Sequence, residues 1–365
     1  MKIQDITSFL ENIAPTYLQE NYDNAGLITG SVEWECTGII TSLDATEEVI
    51  IEAVKKNCNL IIAHHPIIFG GLKKITGKSY VERTIIAAIK NNIAIYAIHT
   101  NLDNIIHGVN GKMAEILSLE NLEILQPKKD LLKKISVFVP EQYAEKVRQA
   151  IFEGGAGHIG NYSECSFNTS GEGSFTASED ANPFIGKIGE RHLEPEIKVE
   201  SIYPVWAENR IVKALIAAHP YEEPAYDIYK LDNTSVSIGS GLAGYLQEPL
   251  NETEFLGKIK NLFKLKIIRH TGLTGKIVKK VALCGGAGSF LIKAAIASGA
   301  DFYITSDIKY HEFFDAEGKL VLADIGHYES EQYSIDLLFD ILKEKFHNFA
   351  VQKTGIQTNP VNYFL

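Results

Sequence analysis

Residues 59–69, Asn-Leu-Ile-Ile-Ala-His-His-Pro-Ile-Ile-Phe, join an apolar β-branched run to two histidines and a proline. The run predicts a buried strand, and Pro66 predicts its end because proline donates no hydrogen bond to a neighbouring strand. In open α/β sheets, ligands collect at the carboxyl ends of strands, and successive side chains point in different directions. His64 and His65 therefore predict a metal or catalytic site able to serve two ions; a polar loop is the alternative.

Two further apolar strands are predicted to end in groups that bind metals. Residues 93–98 lead into His99 and Asp103, and residues 320–323 lead into His327 and Glu331. A spacing of four residues places two side chains on one face of a helix, so His327 and Glu331 can hold one ion between them. Alone, such a pair is commonly a surface salt bridge. The agreement of three strand ends favours a common site.

The combined set offers three imidazoles and two carboxylates: His64, His65, Asp103, His327 and Glu331. Mixed nitrogen and oxygen donors without thiolate suit zinc, iron, manganese, nickel or cobalt, and the sequence does not choose among them. Two carboxylates among three histidines suit two divalent metal ions, which generate hydroxide near neutral pH and polarise a substrate.

The rhythm of predicted elements divides the chain into three segments. Strands and helices alternate over the first 125 residues and again from residue 237, which predicts largely parallel sheets covered by helices. Between them, residues 128–233 follow a β-α-β-β-α-β order typical of a ferredoxin-like α+β domain. We therefore predict a first α/β lobe at 1–127, an inserted domain at 128–235, and a second α/β lobe at 236–365 that completes the metal site.

The charge and cysteine content exclude several classes of protein. The 365 residues carry a formal net charge of −11 without a basic stripe, which argues against nucleic acid as the main partner and against an anionic membrane surface. No apolar run reaches the roughly 18 residues of a membrane-spanning helix. Four scattered cysteines predict reduced thiols in a cytoplasmic protein.

Other polar residues have two interpretations each. His99 is predicted to act as a proton shuttle or to have a structural role. Asp307 and His311, which follow a predicted strand, are further candidates for catalysis. Residues 285–289, Gly-Gly-Ala-Gly-Ser, predict a tight turn or a phosphate cradle. His219 and Glu222 predict a fixed loop in preference to a metal pair.

Several of these motifs together resemble a known family, the GTP cyclohydrolase I type 2 homologues, also called the NGG-interacting-factor-like or DUF34 family. One departure is Tyr22, where the family has Trp. The resemblance covers nearly all of the chain outside the middle block and rests on Tyr22-Asp-Asn-Ala-Gly-Leu27, His64-His65-Pro66, His99-Thr-Asn-Leu-Asp103, Cys284-Gly-Gly-Ala-Gly288, Ser306-Asp-Ile-Lys-Tyr-His311 and Gly326-His327-x-x-x-Glu331.

The resemblance implies two similar α/β lobes with a dinuclear metal site in the cleft between them, held by the five residues named above. It also implies a toroidal homohexamer. The middle block, through His219-Pro-Tyr-Glu-Glu-Pro-Ala-Tyr-Asp227, is similar to the PII/CutA-like insertion of longer bacterial members.

The sequence thus favours a metal-dependent hydrolase that acts on a nucleotide or another small heterocyclic or phosphorylated compound through metal-bound hydroxide. Cyclohydrolase chemistry would open a purine imidazole ring, and phosphoester hydrolysis needs the same site. A metal-binding or metabolite-sensing protein without turnover is the alternative, and a scaffold is the third possibility.

Overall fold

The structure is a computed structural model, and it describes residues 1–364. Contacts within the chain divide it into two compact units. The first unit joins Met1–Pro127 to the chain from Val236 onward, and the second is Lys128–Ser235. The predicted mixed α/β fold with several sheets is confirmed.

Strands and helices alternate in the first unit, and the second has its own set of both. The strands of the described residues are β1 Gly26–Thr29, β2 Ile39–Ser42, β3 Leu60–Ala63, β4 Ala94–Ala97, β5 Leu119–Pro127, β6 Leu132–Pro140, β7 Phe167–Thr176, β8 Arg191–Pro204, β9 Tyr226–Leu231, β10 Gly239–Asn251, β11 Arg269–His270, β12 Ile277–Ala287, β13 Phe302–Ser306, β14 Val321–Asp324 and β15 Val351–Lys353.

None of the helices in residues 1–364 combines the length and the apolar character needed to cross a membrane. The α-helices are α1 Ile3–Ile13, α2 Glu47–Lys55, α3 Tyr80–Lys90, α4 Thr100–Asp103, α5 Val109–Leu117, α6 Ala144–Glu153, α7 Glu208–Ala218, α8 Glu252–Leu262, α9 Ile292–Ala297, α10 His327–Glu331 and α11 Ser334–Lys345. Short 3-10 helices occur at Thr16–Leu18, Glu141–Tyr143, Val205–Ala207, Ser289–Leu291 and Tyr310–Ala316.

The first sheet of unit one has the order β1-β4-β3-β2-β15, with every pair parallel except β1 and β4. Because side chains alternate along a strand, its β-branched residues cover both faces. Ile39 and Leu60 pack with α1 and α11 on one face, whereas Ile40 and Ile61 pack with α2 and α3 on the other. The sheet is thereby buried on both sides, as its continuous apolar strands require.

The second sheet of unit one has the order β11-β14-β13-β12-β10-β5, with a parallel centre formed by β12, β13 and β14. Each sheet takes a strand from the other end of the chain: β5 joins β10 here, and β15 joins β2 in the first sheet. The two sheets therefore do not coincide with the segments 1–127 and 236–365.

Unit two has one antiparallel sheet of order β7-β8-β6-β9, with α6 and α7 packed on it. Its element order, β6-α6-β7-β8-α7-β9, follows the β-α-β-β-α-β rhythm of the sequence. His219 fixes a loop here, because its Nε2 lies 3.0 Å from the carbonyl of Phe138 and its Nδ1 accepts from the Tyr221 amide at 3.1 Å.

The segment that follows β15 is held against the first sheet by Glu52 of α2. The Glu52 carboxylate is 12% exposed and accepts from the Thr354 hydroxyl at 2.5 Å and the Gly355 amide at 2.8 Å. Lys56 lies 2.8 Å from the same carboxylate. Further along this anchored segment, the Thr358 hydroxyl donates to Asp44, which follows β2.

Replacing Glu52 by Gln should weaken this anchor, because a neutral amide oxygen accepts the two hydrogen bonds less strongly. Hydrogen bonds to a charged group contribute about 1.5–3 kcal/mol, so we expect that loss in the free energy that protects the Gly355 amide from hydrogen exchange at pH 7. Glu344→Gln, an exposed substitution on α11, is the matched control.

The stabilising effect of Glu52 on this anchor should decrease as the pH falls. Burial acts to raise the pKa of Glu52, but hydrogen bonds from Lys56, Thr354 and Gly355 outweigh burial and lower this pKa below its ordinary value of 4.5. A carboxyl group with a lowered pKa stabilises the folded state above its unfolded pKa and loses that contribution as pH falls. The difference between wild type and Glu52→Gln should therefore shrink below about pH 4.5; a constant difference would contradict this assignment.

Candidate metal centre

Three strand ends of unit one deliver the five predicted ligands to one place. His64 and His65 follow β3, and Asp103 ends α4, which begins just after β4. His327 and Glu331 are the first and last residues of α10, which follows β14. Gly326 precedes α10 with a φ of 91°, a conformation that glycine adopts without steric cost. This turn starts the helix only two residues after the strand.

The ligand atoms form two groups that share Glu331. One Glu331 oxygen lies 2.9 Å from His65 Nε2 and 3.0 Å from His327 Nε2, and the other lies 3.9 Å from His64 Nε2. Asp103 Oδ1 lies 3.6 Å from His64 Nε2. His65, His327 and Glu331 thus make one possible ion site, and His64, Asp103 and Glu331 make another. A carboxylate between two ions is typical of dinuclear centres.

Each histidine of the cluster uses its Nδ1 to contact an oxygen. The Nδ1 atoms of His65 and His327 lie 2.8 Å from Asp44 and 2.6 Å from Asp307, and that of His64 lies 2.9 Å from the Ile98 carbonyl. Metal-binding histidines usually donate the N–H of one ring nitrogen to an oxygen in this way. This hydrogen bond fixes the tautomer and turns the other nitrogen to the metal. The arrangement leaves the three Nε2 atoms for ions.

Two buried atoms of the cluster lack a hydrogen-bond partner. These are His64 Nε2 and Asp103 Oδ1, which belong to the same three-residue group. A buried polar atom without a partner is costly, and nearly all such atoms in proteins are satisfied. A divalent cation between them would satisfy both, so the donor set of this structure fits a metal.

The charges of the cluster are strongly coupled. Burial opposes the shift, but bonds to Asp44 and Glu331 raise the pKa of His65 to about 9, and bonds to Asp307 and Glu331 raise the pKa of His327 to about 11. Burial lowers the pKa of His64 to about 4. The protonated imidazoles of His65 and His327 thus neutralise the buried carboxylate of Glu331, and divalent ions can replace these protons because metals bind deprotonated ligands.

The glycine-rich turn after β12 makes room for Glu331. Gly286 has a φ of 64°, and a Cβ atom there would lie 2.3 Å from a Glu331 oxygen. The Gly285 and Gly286 amides donate to Asn110 and Ser330 at 2.9 and 3.0 Å. The positive φ and these two bonded amides fit the turn interpretation, and they remove the Gly285 and Gly286 amides as donors to a phosphate.

The three predicted catalytic residues have different surroundings. The His99 ring lies 5.2 Å from that of His64 and 5.3 Å from that of His65, at the edge of the cluster. Asp307 contacts His327 and so touches the cluster from outside. His311 is not brought to the cluster: it is exposed, and its ring packs 5.1 Å from that of Tyr310.

Sequence reasoning missed three residues that hold the histidines in place. Asp44 binds His65, Asp23 binds His99 Nδ1 at 2.8 Å, and the Thr358 hydroxyl donates to Asp44 at 2.5 Å. Asp44 follows the strand β2 closely, so the strand-end argument applied to His64 also points to it. Thr358 comes from the segment after β15, and no local pattern signals it.

A family model and curated relatives match this chain along its length. The model of Duf34/NIF3 (NGG1p interacting factor 3) matches residues 1–360. The GTP cyclohydrolase 1 type 2 homolog of Halalkalibacterium halodurans is 39% identical over 366 residues, 99% of this chain and 98% of that protein. The protein of the same name from Bacillus subtilis is 41% identical over 327 residues, 89% of this chain and 88% of that protein.

Two solved structures are similar over the whole chain. A Bacillus cereus protein related to NIF3 has a TM-score of 0.86 at 38% identity, covering 100% of this chain and 99% of that one. Staphylococcus aureus protein SA1388 has a TM-score of 0.79 at 30% identity, with the same coverage.

Replacing Asp44 by Asn should weaken metal binding, because His65 would lose the carboxylate that fixes its tautomer. Changes to such outer partners typically cost 10–100-fold in metal affinity, and we expect a loss in that range in zinc competition titrations. Asp340→Asn, an exposed substitution on α11, should match wild type. Equal affinity in the Asp44 variant would show that His65 does not depend on this contact.

Proposed function

This chain belongs to the Duf34/NIF3 family, and from that premise we propose that it binds two divalent metal ions and hydrolyses a small molecule at them. The observation that carries the proposal is the sharing of Glu331 by two three-residue groups, one of which has two buried atoms without partners. The substrate is a nucleotide or a similar small molecule, as the name of the relatives suggests.

The proposed ligands of one ion are His64, Asp103 and Glu331, and those of the other are His65, His327 and Glu331. Nitrogen and oxygen donors of this kind suit zinc, iron, manganese, nickel or cobalt. Bound there, the ions would supply activated water and stabilise negative charge that develops on the substrate.

We assign the movement of protons to His99. Asp23 has a fully buried side chain, contacts His99 Nδ1 at 2.8 Å, and accepts from the Thr100 amide at 3.0 Å. Burial acts to raise the pKa of Asp23, but the hydrogen bonds from His99 and Thr100 outweigh burial and lower this pKa to about 2. An ionised Asp23 holds the proton on Nδ1, which leaves the Nε2 atom free to accept and return a proton as a general base and acid does.

Asp307 and His311 take different roles in this proposal. Asp307 contacts His327 Nδ1 at 2.6 Å, so we propose that it positions this ligand and does not touch the substrate. His311 was predicted beside it as a catalytic residue. Its exposed position against Tyr310 gives it no part in the proposed chemistry.

The alternative is a metal-binding or metabolite-sensing protein without turnover. One observation favours it: unit two has a cavity of about 760 Å³ of its own, lined by Phe175, Tyr221 and Glu196 among others. We also propose that unit two, residues 128–235, is the PII/CutA-like domain implied by its element order. Residues 1–127 and 236–365 form the two metal-binding lobes of this proposal, in a cytoplasmic homohexamer.

The metal assignment predicts two transition-metal ions per chain in wild type and fewer in His65→Ala, since His65 is a ligand of one ion and a neighbour of the other. Elemental analysis and anomalous diffraction measure this. His311→Ala is the matched control and should keep both ions. A His65 variant with wild-type metal content would contradict the ligand set.

The role of His99 predicts a loss of rate without a loss of metal. A positioned acid–base group contributes typically 10²–10⁴-fold, so His99→Gln should lower kcat by about that factor on any substrate found in a panel of nucleotides and phosphoesters. Asp23→Asn should lower it in the same direction. If metal-loaded wild type turns over none of the panel, the sensing alternative replaces the enzyme.

A further inference from the structure

The cavity that opens onto the metal centre has an aromatic outer wall. Its volume is about 750 Å³, and its lining includes the rings of Tyr22, Phe69, Tyr80 and Phe290. These side chains are 55–69% exposed, so their rings are available to a ligand. The Phe69 ring lies 5.7 Å from that of His99, so the aromatic wall reaches the edge of the cluster.

Apart from the histidines of the metal centre, the described residues that line the same cavity include no cationic side chain. Among the described residues that line it, none is Lys or Arg, whereas Glu20 adds a carboxylate beyond the ligand cluster. Phosphate groups in proteins are usually held by Arg, Lys or free amide donors. A triphosphate in this space would face Glu20 without any compensating charge outside the metal centre.

Several neutral donors of the wall are already bonded to the protein. Asn104 donates to the Leu18 carbonyl at 2.9 Å and to Glu20 at 2.8 Å, and Asn110 donates to the Asp103 carbonyl at 3.0 Å. The Thr358 hydroxyl donates to Asp44. Asn104 thus uses both N–H donors of its amide, Asn110 uses one of its two, and the Thr358 hydroxyl uses its single donor, so few of these donors remain for a phosphate.

An arginine lines the adjoining cavity, which shares His65 and His327 with the first, but it is also engaged. Arg269 Nη1 lies 3.0 Å from Asp324, and its Nη2 donates to the Ile308 carbonyl at 3.1 Å. These contacts use two of the five N–H donors of the guanidinium. Arg269 lines only the adjoining cavity, so the described lining of the cavity with the aromatic wall has no arginine of its own for a phosphate chain.

We infer that the compound bound at this centre is a flat, neutral aromatic or heteroaromatic molecule that presents one polar group to the metals and carries no phosphate chain. This inference rests on the proposed function and narrows its substrate from nucleotides to nucleobase-like or nucleoside-like compounds. Ligand sites of this kind are mostly apolar with a few polar groups that fix orientation. Offset or edge-on contacts with Phe69 and Phe290 supply the specificity for a flat ring.

Hydroxamates test this without a known substrate, since a hydroxamate chelates divalent metals and its substituent then occupies the cavity. Metal-loaded protein is titrated by calorimetry with acetohydroxamate, benzohydroxamate and 4-phosphonobenzohydroxamate. We expect benzohydroxamate to bind at least tenfold tighter than acetohydroxamate, and the phosphonate to lose at least tenfold relative to benzohydroxamate. The readout is affinity and does not depend on turnover.

Substitutions in the aromatic wall test whether its rings cause the tighter binding of benzohydroxamate. The ratio of benzohydroxamate to acetohydroxamate affinity should fall at least fivefold in Phe69→Ala and Phe290→Ala, whose exposed positions make unfolding no concern. It should stay at the wild-type value in Phe314→Ala, an exposed ring of unit one outside the cavity lining.

Each remaining outcome overturns the inference in a distinguishable way. A ratio near one in wild type, or a phosphonate that binds tighter than benzohydroxamate, contradicts the neutral aromatic ligand while the metal assignment stands. Two ions per chain without acetohydroxamate binding show that the cavity does not lead to the ions. If elemental analysis finds no metal, the proposed function fails first and the inference falls with it.

Discussion

The pairing of the buried Glu331 carboxylate with the histidines around it is the interaction on which the rest of the site depends. The Glu331 side chain is 3% exposed, and hydrogen bonds from His327 and His65 hold its pKa well below the usual range although burial opposes this. A buried charge of this kind is stable only when it is paired. Because Glu331 follows β14 of the second sheet and His65 follows β3 of the first, pairing it also fixes one sheet against the other.

The exchange of strands within unit one makes this pairing possible. β15 lies beside β2 in the first sheet, and β5 lies beside β10 in the second, so each sheet includes chain from the opposite end of the unit. The Thr41 hydroxyl donates to the Ile335 carbonyl of α11 at 3.2 Å, across 294 residues of sequence. The carboxyl ends of β3, β4 and β14 meet because these long-range contacts leave few other arrangements.

The contrast between local signals and long-range strand pairing explains how much of the site the sequence could predict. β-branched runs and Pro66 located the strand ends, and the i, i+4 spacing located His327 with Glu331, since both signals are local. The exchange of β5 and β15 had no local signal, because an apolar strand does not specify its neighbour. The contact of Thr358 with Asp44 depends on that exchange and was missed with it, whereas His311 follows a strand end but is exposed and packs against Tyr310.

The partners of Nδ1 explain how two adjacent histidines acquire different properties. His64 is fully buried and its Nδ1 contacts a neutral carbonyl, so burial outweighs the opposing effect of Glu331 and lowers its pKa to about 4. His65 contacts the carboxylates of Asp44 and Glu331, which overcome burial and raise its pKa to about 9. The alternation of side chains along the strand sends the two rings to these different surroundings. One strand end therefore presents a donor that is neutral near pH 7 beside a donor that exchanges a proton for a metal, which suits two unequal positions in one centre.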